Sequence, residues 1–422
     1  MAGLSALIAL IQANRNFRLL WFGQIVSQLG DWFNIVALYA LLFELTGSAT
    51  AVAVMMVVQL LPVALVGPVS GVVVDRFDRR RIMITADLVR GTAVLGLLLV
   101  RSPDSVWFAY VVTGVMVACS GFFEPARSAT VPSIVPREQL VAANAISTGT
   151  WSAMLAIGAS LGGGVTVLLG RDAAFVLNSL SFFGSALFLF RMRVPARDST
   201  VRAALGLQGV MDGLSYMRRH GEVARIALIK GGWAIVGGAL LLLTVFGDRI
   251  FRVGDSSDAG IGILFAARGI GALTGSLVVS LIAARHGNLI RLIAPAYLIA
   301  GACYAALAVV PTIWFAAAVV VAAHVFGSIL WVSSNVLLQM KVPDEFRGRV
   351  FAAELIAMAL VQSGVAYVTA VALDRGHSDP RTLAAVVGFA LWIPAALWIF
   401  SNTRSATTRP PQPSSTTGQA GS

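Results

Sequence analysis

Seven residues, Asp75 to Arg81, separate two apolar runs, Ala49 to Val74 and Ile82 to Val100, and six of the seven are charged. Each run supplies the roughly 20 apolar residues that a helix needs to cross a bilayer. A backbone in lipid must satisfy its own polar groups, so runs of this length form the helices of a membrane bundle. The turn between them brings four arginines and two aspartates to the membrane surface. Composition agrees: 12% of the residues are charged and the mean hydropathy is +0.82, where a soluble domain carries roughly 25% charged residues. The net charge of +11 is spread over short gaps between apolar runs, so it does not indicate nucleic acid. Two cysteines, Cys119 and Cys303, both inside apolar runs, exclude a disulfide framework or a cysteine metal cluster.

Twelve runs are read, at about 18–43, 49–74, 82–101, 105–128, 146–169, 172–192, 224–247, 258–284, 290–310, 312–340, 350–373 and 381–401. The even number puts both termini on one side. The termini and the gaps after the even-numbered runs hold 22 of the 31 basic residues, and the opposite gaps hold six. Positive charge stays in the cytoplasm, so both termini are expected there. The expected fold class is an all-α integral membrane protein with twelve transmembrane helices in two six-helix pseudo-symmetric halves.

The divisions expected are residues 1–192 for the first half, 193–223 for a cytoplasmic linker, 224–401 for the second half and 402–422 for a disordered tail. In the linker, Leu207, Met211, Leu214 and Met217 recur at helical spacing, which predicts an amphipathic helix lying at the membrane. Val-Pro-x-Glu occurs after run 4 (Val135 to Glu138) and near run 10 (Val342 to Glu345), a weak internal repeat. Six-span repeats with a site near the midplane between them mark secondary transporters.

These features resemble the major facilitator superfamily. Gly71, Asp75, Arg76, Arg79 and Arg80 match that superfamily's loop signature Gly-x-x-x-Asp-Arg-x-Gly-Arg-Arg, with Asp78 in place of its glycine. Aspartate tolerates left-handed backbone better than most residues, so the turn is expected to survive. Phe17 to Trp21, Ser27 to Asp31, Glu44 to Ser48 and Phe122 to Arg127 resemble the bacterial exporter branch that includes the enterobactin exporter and macrolide efflux proteins. Gly158 to Gly163 resembles the antiporter signature Gly-Pro-x-x-Gly-Gly, with Ala159 where proline is usual. It reads either as that signature or as close helix packing through small residues.

A charge at the centre of a span costs at least about 2.5–3.5 kcal/mol, so each needs a partner or an aqueous cavity. Asp31 in run 1 and Arg268 in run 8 both fall near the midplane. They are expected to face a central cavity, with Asp31 carrying a proton; the alternative is a fixed structural acid. Gln28, Gln59, Trp32, His324 and Gln362 are candidates for the same cavity. Glu124 with Arg127, and Asp87 with Arg90, have the spacing of pairs within one helix. Lys230 reads as snorkelling towards the cytoplasm, and Glu354 as sitting at its own helix N-terminus. Asp75, at a helix C-terminus, needs a cationic or N-terminal partner. A cytoplasmic latch is therefore expected from Gly71, Asp75, Arg76, Arg79, Arg80, Glu124, Arg127 and Glu354, closed when the protein faces outward.

The function expected is proton-coupled efflux of a small or medium amphipathic molecule, with import as the rival direction. No Gly-x-x-x-x-Gly-Lys-Ser/Thr loop is present for direct use of ATP. The four histidines are scattered, which disfavours an enzyme, and no signalling domain is evident for a receptor. The expected partners are the substrate, protons and the lipid bilayer, without a cofactor or nucleic acid, in a monomer of the bacterial inner membrane.

Overall fold

The computed structural model describes residues 9–194, 207–253, 257–284, 288–376 and 378–407. The first spans are α1 (Arg15–Thr46), α2 (Ala49–Arg76), α3 (Arg79–Val94, continued by a 3-10 turn to Leu99), α4 (Val106–Ile134), α5 (Leu140–Leu169) and α6 (Arg171–Arg191). The linker forms α7 (Leu207–Arg219). After it come α8 (Gly221–Trp233), α9 (Val236–Val245), α10 (Ser257–Ala284), α11 (Leu289–Ala306), α12 (Ile313–Lys341), α13 (Asp344–Asp374), α14 (Pro380–Ala390) and α15 (Trp392–Thr407).

Eleven segments among the described residues are long and apolar enough to cross a membrane. Helix α5, where the fifth of twelve runs is expected, is 30 residues long and packs in the same bundle, but is not one of the eleven. Leu88, Leu99, Val111, Leu180 and Leu187 are exposed on the flanks, an apolar surface suited to lipid rather than water.

Short polar caps set the turns. Asn14 starts α1 by accepting from Phe17 N, and Gly47 ends it in the left-handed conformation. Ser48 starts α2 and Asn288 starts α11 in the same way. Helix α1 packs on α5 and α6, and α3 on α4 and α6. In the C-terminal bundle, α12 packs on α10 and α11, and α9 on α13. The two bundles meet mainly where α5 crosses α10 and where α2 crosses α13. One face carries the start of α1, the α2–α3 turn and α7, and is called the linker face; the opposite face is the far face.

Two details depart from expectation. Span 7 is a broken helix: α8 ends at Trp233 and α9 begins at Val236. Helix α15 continues through Thr407, past the boundary expected at 401; residues 408–422 lie outside the described residues. Along α7, the apolar residues read at helical spacing differ in burial. Met217 is buried, Met211 and Leu214 are exposed, and the side chain of Leu207 lies outside the described residues. At Gly213 an added Cβ would sit 2.2 Å from the backbone oxygen of Arg349, so α7 docks backbone-first on α13. Tyr216 stacks on Phe346 and Asp212 pairs with Arg349 at 3.3 Å, completing that seam.

Candidate functional site

A cavity of about 620 Å³ runs from the middle of the C-terminal bundle towards the linker face. The break in span 7 supplies Trp233 and Val236 to its wall, α10 supplies Arg268, α12 supplies His324, Trp331, Asn335 and Gln339, and α13 supplies Gln362. Its volume lies within the ~300–1,000 Å³ of small-molecule sites. Irregular membrane helix is tolerated where it borders such a cavity.

Arg268 lies near the rings of Trp32 (5.8 Å) and Phe265 (5.9 Å). Its Nε is buried without a hydrogen-bond partner, and it makes no ion pair with a described residue. His324 shares a 2.6 Å hydrogen bond between its Nε2 and the Tyr304 hydroxyl. The edge of Trp233 packs against its ring. Tyr39 donates to Gln59 Oε1 and packs edge-on against Phe265, so α1 reaches α10 beside the arginine.

Asp31 is half-buried, does not line this cavity, and makes no hydrogen bond with a described residue. The charges that act on it come from Arg90, Asp87 and Glu124 on neighbouring helices of its own bundle. Arg90 pairs with Asp87 and is held between Phe123 and Phe182, at 4.6 and 4.4 Å. Gln28 leaves Oε1 buried and unpaired. Sequence spacing alone does not bring Asp31 and Arg268 together, and the fold places them in different polar environments.

A second cleft, about 590 Å³, opens between α2, α4, α7 and α13 and includes Gln59, Glu124 and Gly348. Glu124 pairs with Arg127 at 2.8 Å, and Arg127 also donates to Gln24. The charged turn between α2 and α3 is held from within its own bundle. Arg79 donates to the Ala129 carbonyl on α4, and Arg80 donates to the carbonyls of Leu189 and Phe190 at the end of α6. Helix C-termini carry partial negative charge, which these guanidinium groups neutralise. Asp78 has φ −62° and ψ 115° and accepts from Arg81 N at 2.8 Å. It is thus an extended N-cap of α3, not the left-handed residue expected. Arg76 is exposed. The surroundings of Gly71 and the side chain of Asp75 lie outside what is described.

Glu354 and Lys230 also differ from expectation. Lys230 does not snorkel: it is 5% exposed and Glu354 is 3% exposed. Lys230 Nζ donates to Glu354 Oε2 and to Asn335 Oδ1, each at 2.7 Å, and Ser334 donates to Glu354 Oε1 at 3.1 Å. Charge buried this deeply is tolerated only with such complete pairing. The network ties α8, α12 and α13 together inside one bundle.

A family profile described as transmembrane secretion effector matches residues 6–408. The chain belongs to this family of major facilitator transporters. Macrolide efflux protein A of Streptococcus pyogenes is 25% identical over 365 residues, 85% of this chain and 89% of that protein. The Bacillus subtilis MFS-type transporter YfiS is 30% identical over 204 residues, 46% of this chain. The matches to YfiS and to YkuC of the same organism span 48% and 65% of those proteins. A solved POT family transporter in complex with 5-aminolevulinic acid shares the fold, with TM-score 0.75, 12% identity, and coverage of 93% of this chain and 96% of that one. These relatives are transporters, not enzymes.

The far face of this family member is closed by contacts that sequence reading missed. Asp374, the last residue of α13, accepts from Ser48 Oγ at 2.6 Å, Ala49 N at 2.9 Å and Thr50 N at 2.7 Å. It therefore caps the N-terminus of α2 in the other bundle. Arg249 donates to Gly47 O and lies over Phe43. Gly163 and Gly262 bring α5 and α10 into backbone contact: a Cβ on Gly163 would lie 2.7 Å from Gly262 Cα. Gly158 and Gly162 lie against Trp32 and the backbone of Trp32 and Phe33, so the glycine motif of α5 serves close packing. The missed signal was Asp374 itself, an acid at its own helix C-terminus, where it is unfavourable unless another helix N-terminus takes it.

Asp374→Asn removes the charge from three hydrogen bonds, and bonds to charged groups are worth about 1.5–3 kcal/mol each. The far-face-open population is expected to rise about tenfold, or ~1.4 kcal/mol. The check is the rate at which a membrane-impermeant thiol reagent labels a cysteine at Phe43 in a background lacking Cys119 and Cys303. An unchanged rate removes Asp374 from the closure.

Proposed function

We propose that this chain is a proton-coupled exporter of small or medium amphipathic molecules, working as a monomer in a bacterial cytoplasmic membrane. The linker face and both termini lie on the cytoplasmic side, in accord with the bias of 22 basic residues against six. The observation that carries the reading is the cavity at Arg268, open towards the linker face while contacts between the bundles seal the far face. That arrangement is the inward-facing, loading state of an alternating-access cycle. The similarity to macrolide efflux protein A supports export over import.

Asp31 is the proton carrier in this reading. It is half-buried and has no fixed partner among the described residues, so its charge is free to respond to hydration and to the field of Arg90, Asp87 and Glu124. The membrane potential provides about 2.3 kcal/mol per proton per 100 mV. Expression in a bacterial strain lacking its own pumps, challenged with macrolides and a panel of amphipathic dyes, tests the function. Accumulation should fall with the protein and recover with a protonophore. Asp31→Asn should abolish at least about 90% of this proton-driven efflux while the protein stays folded. Efflux indifferent to both the protonophore and Asp31→Asn overturns proton coupling.

A further inference from the structure

Among the described residues, the cavity is lined by a cation and no counter-charge. The titratable groups whose charges reach Arg268 are the phenols of Tyr39 and Tyr304 and the imidazole of His324. None of these carries negative charge near neutral pH in its ordinary range. No carboxylate of a described residue lines the cavity. Glu354 is held by Lys230 and Ser334, and Asp374 by the start of α2. Asp31, unpartnered among the described residues, does not line the cavity. Arg268 Nε is buried with no acceptor, and Trp32 and Phe265 flank the guanidinium group with faces that accept no strong hydrogen bond. A guanidinium has five donors, and a planar acceptor such as a carboxylate matches their geometry.

Most of the remaining lining is apolar or aromatic. Trp151, Trp233 and Trp331 border the cavity, with Met358 beside them. The polar groups there, Asn335, Gln339 and Gln362, are uncharged. Lys230, the nearby cation on span 7, is already neutralised within its network. The cavity therefore pairs one unanswered positive charge with an aromatic-lined volume large enough for a drug-sized body.

We propose that the transported substrate is an organic anion with an aromatic body, its carboxylate or equivalent oxyanion bound by Arg268 and its rings lying among Trp233, Trp331 and Trp151. This rests on the reading of the cavity as the substrate site. The anion completes the pairing that the chain leaves open, so binding offsets the cost of keeping a guanidinium group away from water. A cationic amphiphile meets like charge with no compensating carboxylate, so selectivity arises from repulsion as well as attraction.

The test uses matched ligands on the full chain in lipid nanodiscs, read by calorimetry and by quenching of tryptophan fluorescence. The ligands are the acetic acid, acetamide and ethylamine derivatives of naphthalene, anthracene and pyrene. At least one acid should bind ten- to a hundredfold more tightly than its amide, and its amine should bind more weakly still. Arg268→Gln should reduce the acid to the affinity of the amide, and Arg268→Lys should retain part of the preference. Size-exclusion profiles show that each variant is folded, and the comparison of acid with amide in the unaltered chain needs no variant at all. Trp331→Phe should diminish the quenching. Amides or amines that bind as tightly as the acids, with quenching still dependent on Trp331, overturn the anion proposal and leave the cavity as the substrate site. Binding of no ligand in any series overturns both.

Discussion

Gly163→Leu is expected to abolish closure of the far face while leaving each bundle folded. In the closed state the Cβ of any residue at this position would lie 2.7 Å from Gly262 Cα, and a Cβ on Gly262 would lie 2.8 Å from Gly163 Cα. Both obstructions are backbone, so no rotamer change relieves them. Helices α5 and α10 would have to separate, and with them the seal between the bundles. The change does not touch the interior of either bundle, so folding should survive. Nitroxide labels at positions 104 and 312, which are exposed on the far face in different bundles, should report a longer distance in Gly163→Leu and in Gly262→Leu. Export should fall by at least about a hundredfold, because a transporter held open on one side cannot return. Gly164→Leu is the control: an added Cβ there meets nothing within 4 Å. An unchanged label distance and normal export in Gly163→Leu would show that this contact does not hold the gate.

The second large effect concerns the buried pair. Lys230→Met leaves Glu354 with Ser334 but without its cation, and Glu354→Gln leaves Lys230 with Asn335 but without its anion. Breaking one side of a buried pair costs about 3–5 kcal/mol. Each single variant should therefore melt well below the parent chain in detergent, or fail to accumulate. The double variant Lys230→Met with Glu354→Met should recover most of the loss, because a well-packed apolar pair removes both desolvation penalties. Thermal unfolding followed by tryptophan fluorescence measures this. If the singles and the double melt together, the pair is not structural.

Much of the fold was legible along the chain. In lipid a helix must satisfy its own backbone, so apolar length reports a span directly, and most of the expected runs coincide with helices. The pairs Asp87–Arg90 and Glu124–Arg127 were readable because partners three apart on a helix share a face. Arg268, His324 and Gln362 stood out as polar groups within spans, and the cavity gathers all three, while Asp31, Gln28, Gln59 and Trp32 do not line it. Pairing across helices was not legible. Nothing local says that Lys230 meets Glu354, 124 positions away, or that Asp374 meets Ser48, 326 positions away. Nor does local sequence say that Arg79 and Arg80 turn inward to the carbonyl ends of α4 and α6.

By itself, then, the sequence determined the solvent in which this protein folds, the approximate extent of its apolar runs, the asymmetry of its basic charge, and the signature of its superfamily. These depend on residues near one another in the chain, or on sums over it. Tertiary structure decided which charges are neutralised and which is left open. It paired Lys230 with Glu354, gave Asp374 to the start of α2, put Asp31 under the field of Arg90, and left Arg268 facing a cavity without an acid. The reason is physical: the free energy of a charge in a membrane depends on atoms a few ångströms away, and in a helical bundle those atoms come from helices far apart in the chain.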